Sequence, residues 1–169
     1  MKIAVTDACI FIDLLDLEMT AYFFNMNVEV HTTFEVWDEL DKHQQQVLAA
    51  YKSVAKLKVH ILESEDFEEI GKTLFPKALS VPDQSVLYMA KKMNAMLLSS
   101  DGLVRKFAER SSIERHGMFW ILDELVAQKI ITKPVAYAKL TQLTSTNLMY
   151  LNNRKLQKDI QSRLINWKR

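Results

Sequence analysis

Residues 81 to 110, VPDQSVLYMAKKMNAMLLSSDGLVRKFAER, constrain the fold of this chain more than any other stretch. Proline is well tolerated at the first helical position, so a helix starts at Pro82. Residues 95 to 98 form an apolar run too short for a helix, which reads as a strand buried on both faces. A second helix starts around Asp101. An acid therefore stands at the head of each helix, Asp83 in the first and Asp101 in the second. In an α/β sheet, helix starts that follow strand ends lie along one edge, where ligands bind. These two acids are candidates for a shared site.

The rest of the chain repeats this strand-to-helix logic. Residues 3 to 6 read as a buried strand with Asp7 directly after it. Ile10, Leu14 and Leu17 then recur at helical spacing. Val28 and Val30 mark a second strand that ends near His31. Thr32 or Thr33 caps a helix whose periodicity runs through Trp37, Leu40, Val47, Leu48 and Tyr51. Residues 58 to 62 alternate as a strand, and residues 65 to 74 form a short acidic helix closed by Phe75-Pro76. Residues 113 to 116 read as an edge strand broken by Gly117. Helices follow over 118 to 128, from Pro134 through Leu143, and over 156 to 167. The last has Leu156, Ile160, Leu164 and Trp167 on one face, with Arg154, Lys158 and Arg163 around it. Strands alternating with helices imply an α/β three-layer sandwich around a central, mostly parallel sheet. The expected organisation is one domain over 1–130, with a helical C-terminal extension over 131–169 packed on it.

A chain of 169 residues buries a sizeable core without disulfides or a structural metal. The single cysteine, Cys9, excludes an internal disulfide and a Cys-rich zinc pattern, and it suits a reducing, cytoplasmic setting. The start lacks the apolar length of a secretory signal. Apolar runs such as residues 118 to 122 are far too short to cross a bilayer. Charge is unevenly spread. Residues 1 to 100 carry 9 Lys and Arg against 15 Asp and Glu, whereas residues 101 to 169 carry 13 against 6. An acidic half beside a basic half suits a protein that gathers cations in one place and holds a polyanion in another. His31, His43, His60 and His116 are scattered and read as structural or surface residues.

Four carboxylates fall at helix starts or borders. Asp7 is either the cap of the next helix or a side chain projecting from a strand end. On a wheel begun at Thr33, Phe34, Val36, Trp37 and Leu40 share one side. Glu39 lies at the border of that face, while Glu35 and Asp38 point away from it. Asp83 fits the capping pattern Ser80-x-x-Asp83, yet shares a stripe with Val86, Leu87 and Ala90, where a carboxylate needs a partner. Asp101 follows Ser99-Ser100 and is either a cap or a ligand. Arg105 and Lys106 come one turn later. Arg105 can meet a phosphate or pair with Glu109. Taken together, so many acids require a cation, and hard oxygen ligands suit Mg²⁺ or Mn²⁺. No glycine-rich phosphate loop is present.

The stretches VTDACIFIDLLD, TTFEVWDEL and PDQSVLYMAKKMNAMLLSSDGLVRKFAE resemble the PIN-domain nucleases, and within them the VapC-like toxins. The resemblance spans roughly residues 1 to 128. It maps the family's four acids onto Asp7, Glu39, Asp83 and Asp101, and its metal-site hydroxyl onto Ser99. HGMFWILDELV is similar to the strand, Gly and helix that close many such domains. Two positions depart from the pattern: Leu103 stands where some members have a fifth acid, and Ala8 where a small hydroxyl is common. The resemblance implies a Mg²⁺- or Mn²⁺-dependent ribonuclease, dimeric and inhibited by a cognate antitoxin. A PIN-like RNA-binding or complex-forming module with little activity is the alternative. A receiver domain would need an early acidic pair and a late lysine. A haloacid-dehalogenase phosphatase would need a second acid where Cys9 stands.

Overall fold

The computed structural model describes residues 1–168, so Arg169, the last residue of the expected extension, lies outside the described residues. In chain order the elements are β1 (Lys2–Thr6), α1 (Ala8–Asp16), α2 (Thr20–Phe23), β2 (Val28–Thr33), α3 (Phe34–Glu39), α4 (Lys42–Ser53), β3 (Leu57–His60) and α5 (Ser64–Lys72). They continue with α6 (Val81–Lys92), β4 (Met96–Leu98), α7 (Gly102–Arg110), β5 (Arg115–His116), α8 (Met118–Ala127), α9 (Lys133–Thr146), α10 (Leu148–Leu151) and α11 (Arg154–Trp167).

Two compact units divide the chain. The first comprises Met1–Ile12 and Asn27–Met118; the second comprises Asp13–Met26 and the chain from Phe119 onward. In the first unit all five strands are parallel, in the order β3-β2-β1-β4-β5, and helices flank the sheet. β1 is central: Ala4 pairs with Val30 on one side and Met96 on the other. Ala4, Val5, Leu97 and Leu98 are fully buried, as parallel strands covered on both faces require.

Three features depart from the periodicity. The helix expected from Thr33 to Tyr51 is broken. Leu40 adopts an extended conformation, and Asp41 starts α4 with a capping box to Gln44. The box satisfies first-turn N–H groups that a continuous helix would bond internally. Gln45 stitches the break by donating to the carbonyls of Trp37 at 2.8 Å and Leu40 at 3.1 Å. β2 runs past His31 to Thr33, because its polar end is satisfied by distant partners. Thr32 Oγ1 donates to the Thr6 carbonyl at 2.7 Å, and Thr33 Oγ1 lies 2.7 Å from Ser85 Oγ. The short helices α2 and α10 carry too few residues to show a helical period.

The second unit is helical. Its core includes Ile121, Leu122, Leu125, Leu140, Leu143, Ile160 and Trp167. Arg163 grips Asp123 through Nε at 3.1 Å and Nη2 at 2.7 Å, and its guanidinium lies 5.1 Å from the Phe119 ring centre. Lys139 Nζ donates to the Leu17 carbonyl at 2.6 Å. No helix among the described residues is long and apolar enough to cross a membrane.

Candidate metal centre

The C-terminal ends of the strands in the first unit supply the anchor points. β1 leads directly into Asp7, whose N–H continues the ladder by donating to the Leu98 carbonyl at 2.9 Å. This residue is only 4% exposed. Its Oδ1 accepts the Ala8 N–H at 2.8 Å, and its Oδ2 accepts the Ser99 hydroxyl at 2.8 Å. Asp7 is thus tied both to the first turn of α1 and to the strand beside it. Burial pushes its pKa up; the bonds from Ser99 and Ala8 oppose that, and the charge of Asp83 adds to it, for a net rise.

Ser99 directly follows β4 and is fully buried. While its hydroxyl donates to Asp7, its oxygen accepts the Asp101 N–H at 3.2 Å. Asp101 in turn caps α7, with Oδ1 accepting from Leu103 N at 2.9 Å and Val104 N at 3.0 Å. Asp7, Ser99 and Asp101 therefore form one hydrogen-bonded chain across two strand ends.

Glu39 and Asp83 lie on α3 and α6, whose starts are bonded to each other. Ser85 Oγ donates to the Pro82 carbonyl at 2.7 Å, which leaves it to accept from Thr33 Oγ1 while Thr33 accepts the Val36 N–H at 3.3 Å. Asp83 closes a capping box, with Oδ2 accepting the Ser80 N–H at 2.8 Å. The Glu39 pKa is raised, first because its carboxyl is partly withdrawn from water although the residue is exposed overall, then by the charges of Asp7 and Asp83. Asp7, Glu39 and Asp83 therefore feel one another as like charges.

The donor set is hard oxygen throughout, and its mutual repulsion is of the kind a divalent cation relieves. Among the described residues, no three His, Cys, Asp or Glu side chains stand close enough to hold one ion. The side chains thus match such an ion in chemistry and in charge, but not in spacing.

Other residues fall as follows. Arg105 is half-buried and its Nη1 donates to the Ser99 carbonyl at 3.2 Å, while Glu109 pairs with Arg115 at 2.7 Å. Lys106 is exposed on α7. Cys9, whose sulfur lies 3.6 Å from Asp7 Oδ2 and accepts the Ser100 N–H at 3.3 Å, was not among the expected site residues; its place two residues after Asp7 was the available signal. Glu35 differs from its expected outward position. Phe34 is 46% exposed, so the buried side of α3 centres on Val36 and Leu40. Glu35 turns inward with it, and its Oε2 is buried with no hydrogen-bond partner among the described residues.

The sequence model of the PIN-domain family DUF3368 matches residues 3–163. The fold is similar to that of a PilT N-terminus domain protein from the hyperthermophilic archaeon Sulfolobus solfataricus P2. That likeness has a TM-score of 0.51 at 16% identity and covers 73% of this chain and 93% of the other. A domain of a functionally unknown protein from Methanocaldococcus jannaschii DSM 2661 gives a TM-score of 0.49 at 19% identity, covering 70% of this chain and 91% of the other. No curated protein matches the sequence. A family match over nearly the whole chain, on a parallel sheet whose central strand ends in a buried aspartate, places this protein in the PIN-domain family.

Proposed function

We propose that the protein is a Mg²⁺- or Mn²⁺-dependent endoribonuclease that hydrolyses RNA phosphodiester bonds. One observation carries the reading: Asp7, Glu39 and Asp83 repel one another at the end of the central strand, and Ser99 links Asp7 to Asp101. PIN domains are generally nucleases and typically use divalent metals, which supports the same reading. The four carboxylates would hold the ion, which when bound lowers the pKa of a water and stabilises charge on a phosphoryl oxygen. The chain's own part is to fix the acids. Backbone N–H groups orient Asp7, Asp83 and Asp101, and Ser99 holds Asp7 by its hydroxyl proton. In this reading Lys106, exposed on the helix that Asp101 caps, would meet the phosphate backbone, while the Arg105 guanidinium is turned to the Ser99 carbonyl. By resemblance to VapC-like toxins, the proposal extends to a homodimer paired with an antitoxin.

The test uses purified protein free of any inhibitor. Cleavage of RNA in Mg²⁺ or Mn²⁺ that disappears in EDTA is expected, together with a metal-induced rise in Tm by linkage. Binding of RNA without cleavage in either metal would sink the enzymatic reading and leave a PIN-like RNA-binding module in its place.

A further inference from the structure

We infer that Arg105, seated in a slot made by Gly117, is a positioning residue that clamps the Ser99–Asp101 turn and so sets the geometry of the acidic site. This goes beyond a phosphate-binding role for Arg105, and only its activity arm rests on the nuclease reading. The turn is held from several sides. Ser99 N–H donates to the His116 carbonyl at 3.0 Å, Ser100 N–H to Cys9 Sγ at 3.3 Å, and Arg105 Nη1 to the Ser99 carbonyl at 3.2 Å. A turn so restrained keeps the Ser99 hydroxyl on Asp7 and the Asp101 N–H on Ser99.

Gly117 makes the arginine's contribution possible. No glycine here has a positive φ, so Gly117 is not required for an unusual backbone. Its role is space. A Cβ at this position would stand 3.0 Å from Arg105 Nη1, but at ordinary contact distances from the Ser99 carbonyl, 3.5 Å, and from Ser100 Oγ, 3.9 Å. Gly117→Ala therefore displaces the tip of a flexible side chain and leaves the backbone alone. It is a fold-preserving way to push the guanidinium by a few tenths of an ångström and so weaken its bond to the Ser99 carbonyl.

A double-mutant cycle with Gly117→Ala, Arg105→Ala and the pair reads the clamp directly by hydrogen exchange at the Ser99, Ser100 and Asp101 amides. Arg105→Ala should speed exchange about tenfold, as expected for loss of one charge-assisted bond, Gly117→Ala should speed it less, and the pair should match Arg105→Ala alone. Additive effects, or unchanged exchange in Arg105→Ala, would overturn the clamp whether or not the protein is a nuclease. In the activity arm, kcat should fall about tenfold while RNA binding without catalytic metal changes less than about twofold. Binding that falls in step with kcat would make Arg105 a phosphate contact and overturn the positioning role. A wild type that cleaves nothing would count against the nuclease reading, while the exchange arm would still decide the clamp.

Discussion

Asp13 offers a quantitative test of the second unit. It lies on α1 and is 9% exposed. The Asn147 amide donates to its Oδ1 across a long 3.4 Å. Burial, opposed by Asn147 and reinforced by the charge of Asp16, raises its pKa from 3.8 to about 6. Because the folded-state pKa is raised, the unfolded chain releases its proton first as pH rises. The folded state is therefore penalised progressively between about pH 4 and 6, and fully above that. Full ionisation would cost about 3 kcal/mol. The carboxyl lies nearer to water than the residue's exposure suggests, which reduces this to about 1–2 kcal/mol. Asp13→Asn removes the charge and keeps an oxygen for the Asn147 amide. The variant should gain about 3–6 °C in Tm at pH 8 and almost nothing at pH 4, measured by thermal denaturation in both buffers. Equal shifts at the two pH values, or a loss at pH 8, would refute the reasoning.

Three further outcomes are expected. Asp101→Asn can still cap α7 through its amide oxygen, so circular dichroism should show an intact fold while RNA cleavage drops more than about 100-fold, beyond what a change outside the coordinating set costs. Thr6 Oγ1 is buried with no partner among the described residues, and Thr6→Val should therefore raise Tm by about 2–4 °C in a thermal melt. Asp66 is held at a pKa of about 2, first by Lys92 at 2.6 Å and then by Tyr88 at 2.6 Å. Its stabilisation is present above pH 4 and lost toward pH 2, so Asp66→Asn should lower Tm at pH 7 and converge with wild type in strong acid.

Much of the first unit was legible because its signals are local. The apolar runs before Asp7 and Ser99 are what a strand buried on both faces requires, and the Ser80-x-x-Asp83 box marks the α6 start that the structure bears out. The break at Leu40 was also written locally, as Asp41-x-x-Gln44, but helical periodicity continues across it and hides it. The last two residues of β2 were not legible as strand, although Thr33 was among the expected caps of the next helix and does cap it. Thr33 is buried beside a serine 52 residues away, and no property of VEVHTT announces that partner. The tilt of α3 was hidden for the same reason. Six residues present too short a stripe to fix a face, so packing exposes Phe34 and turns Glu35 inward.

Whether separate acids become one site depends on strand order, which no single segment encodes. In the order β3-β2-β1-β4-β5, β1 lies between β2, which leads into the helix of Glu39, and β4, which Ser99 follows ahead of Asp101. Asp7 is therefore flanked on one side by a carboxylate and on the other by a hydroxyl that bonds it. Moving β1 to an edge would remove one of these neighbours. The parallel direction matters equally, because reversing β4 would send Ser99 to the far end of the sheet while leaving every local pattern in the sequence unchanged. The rise in the pKa of Asp7 and Glu39 is thus a property of topology as much as of composition. It expresses first the withdrawal of the two carboxyls from water and then the like charges beside them, a cost that a bound cation would offset.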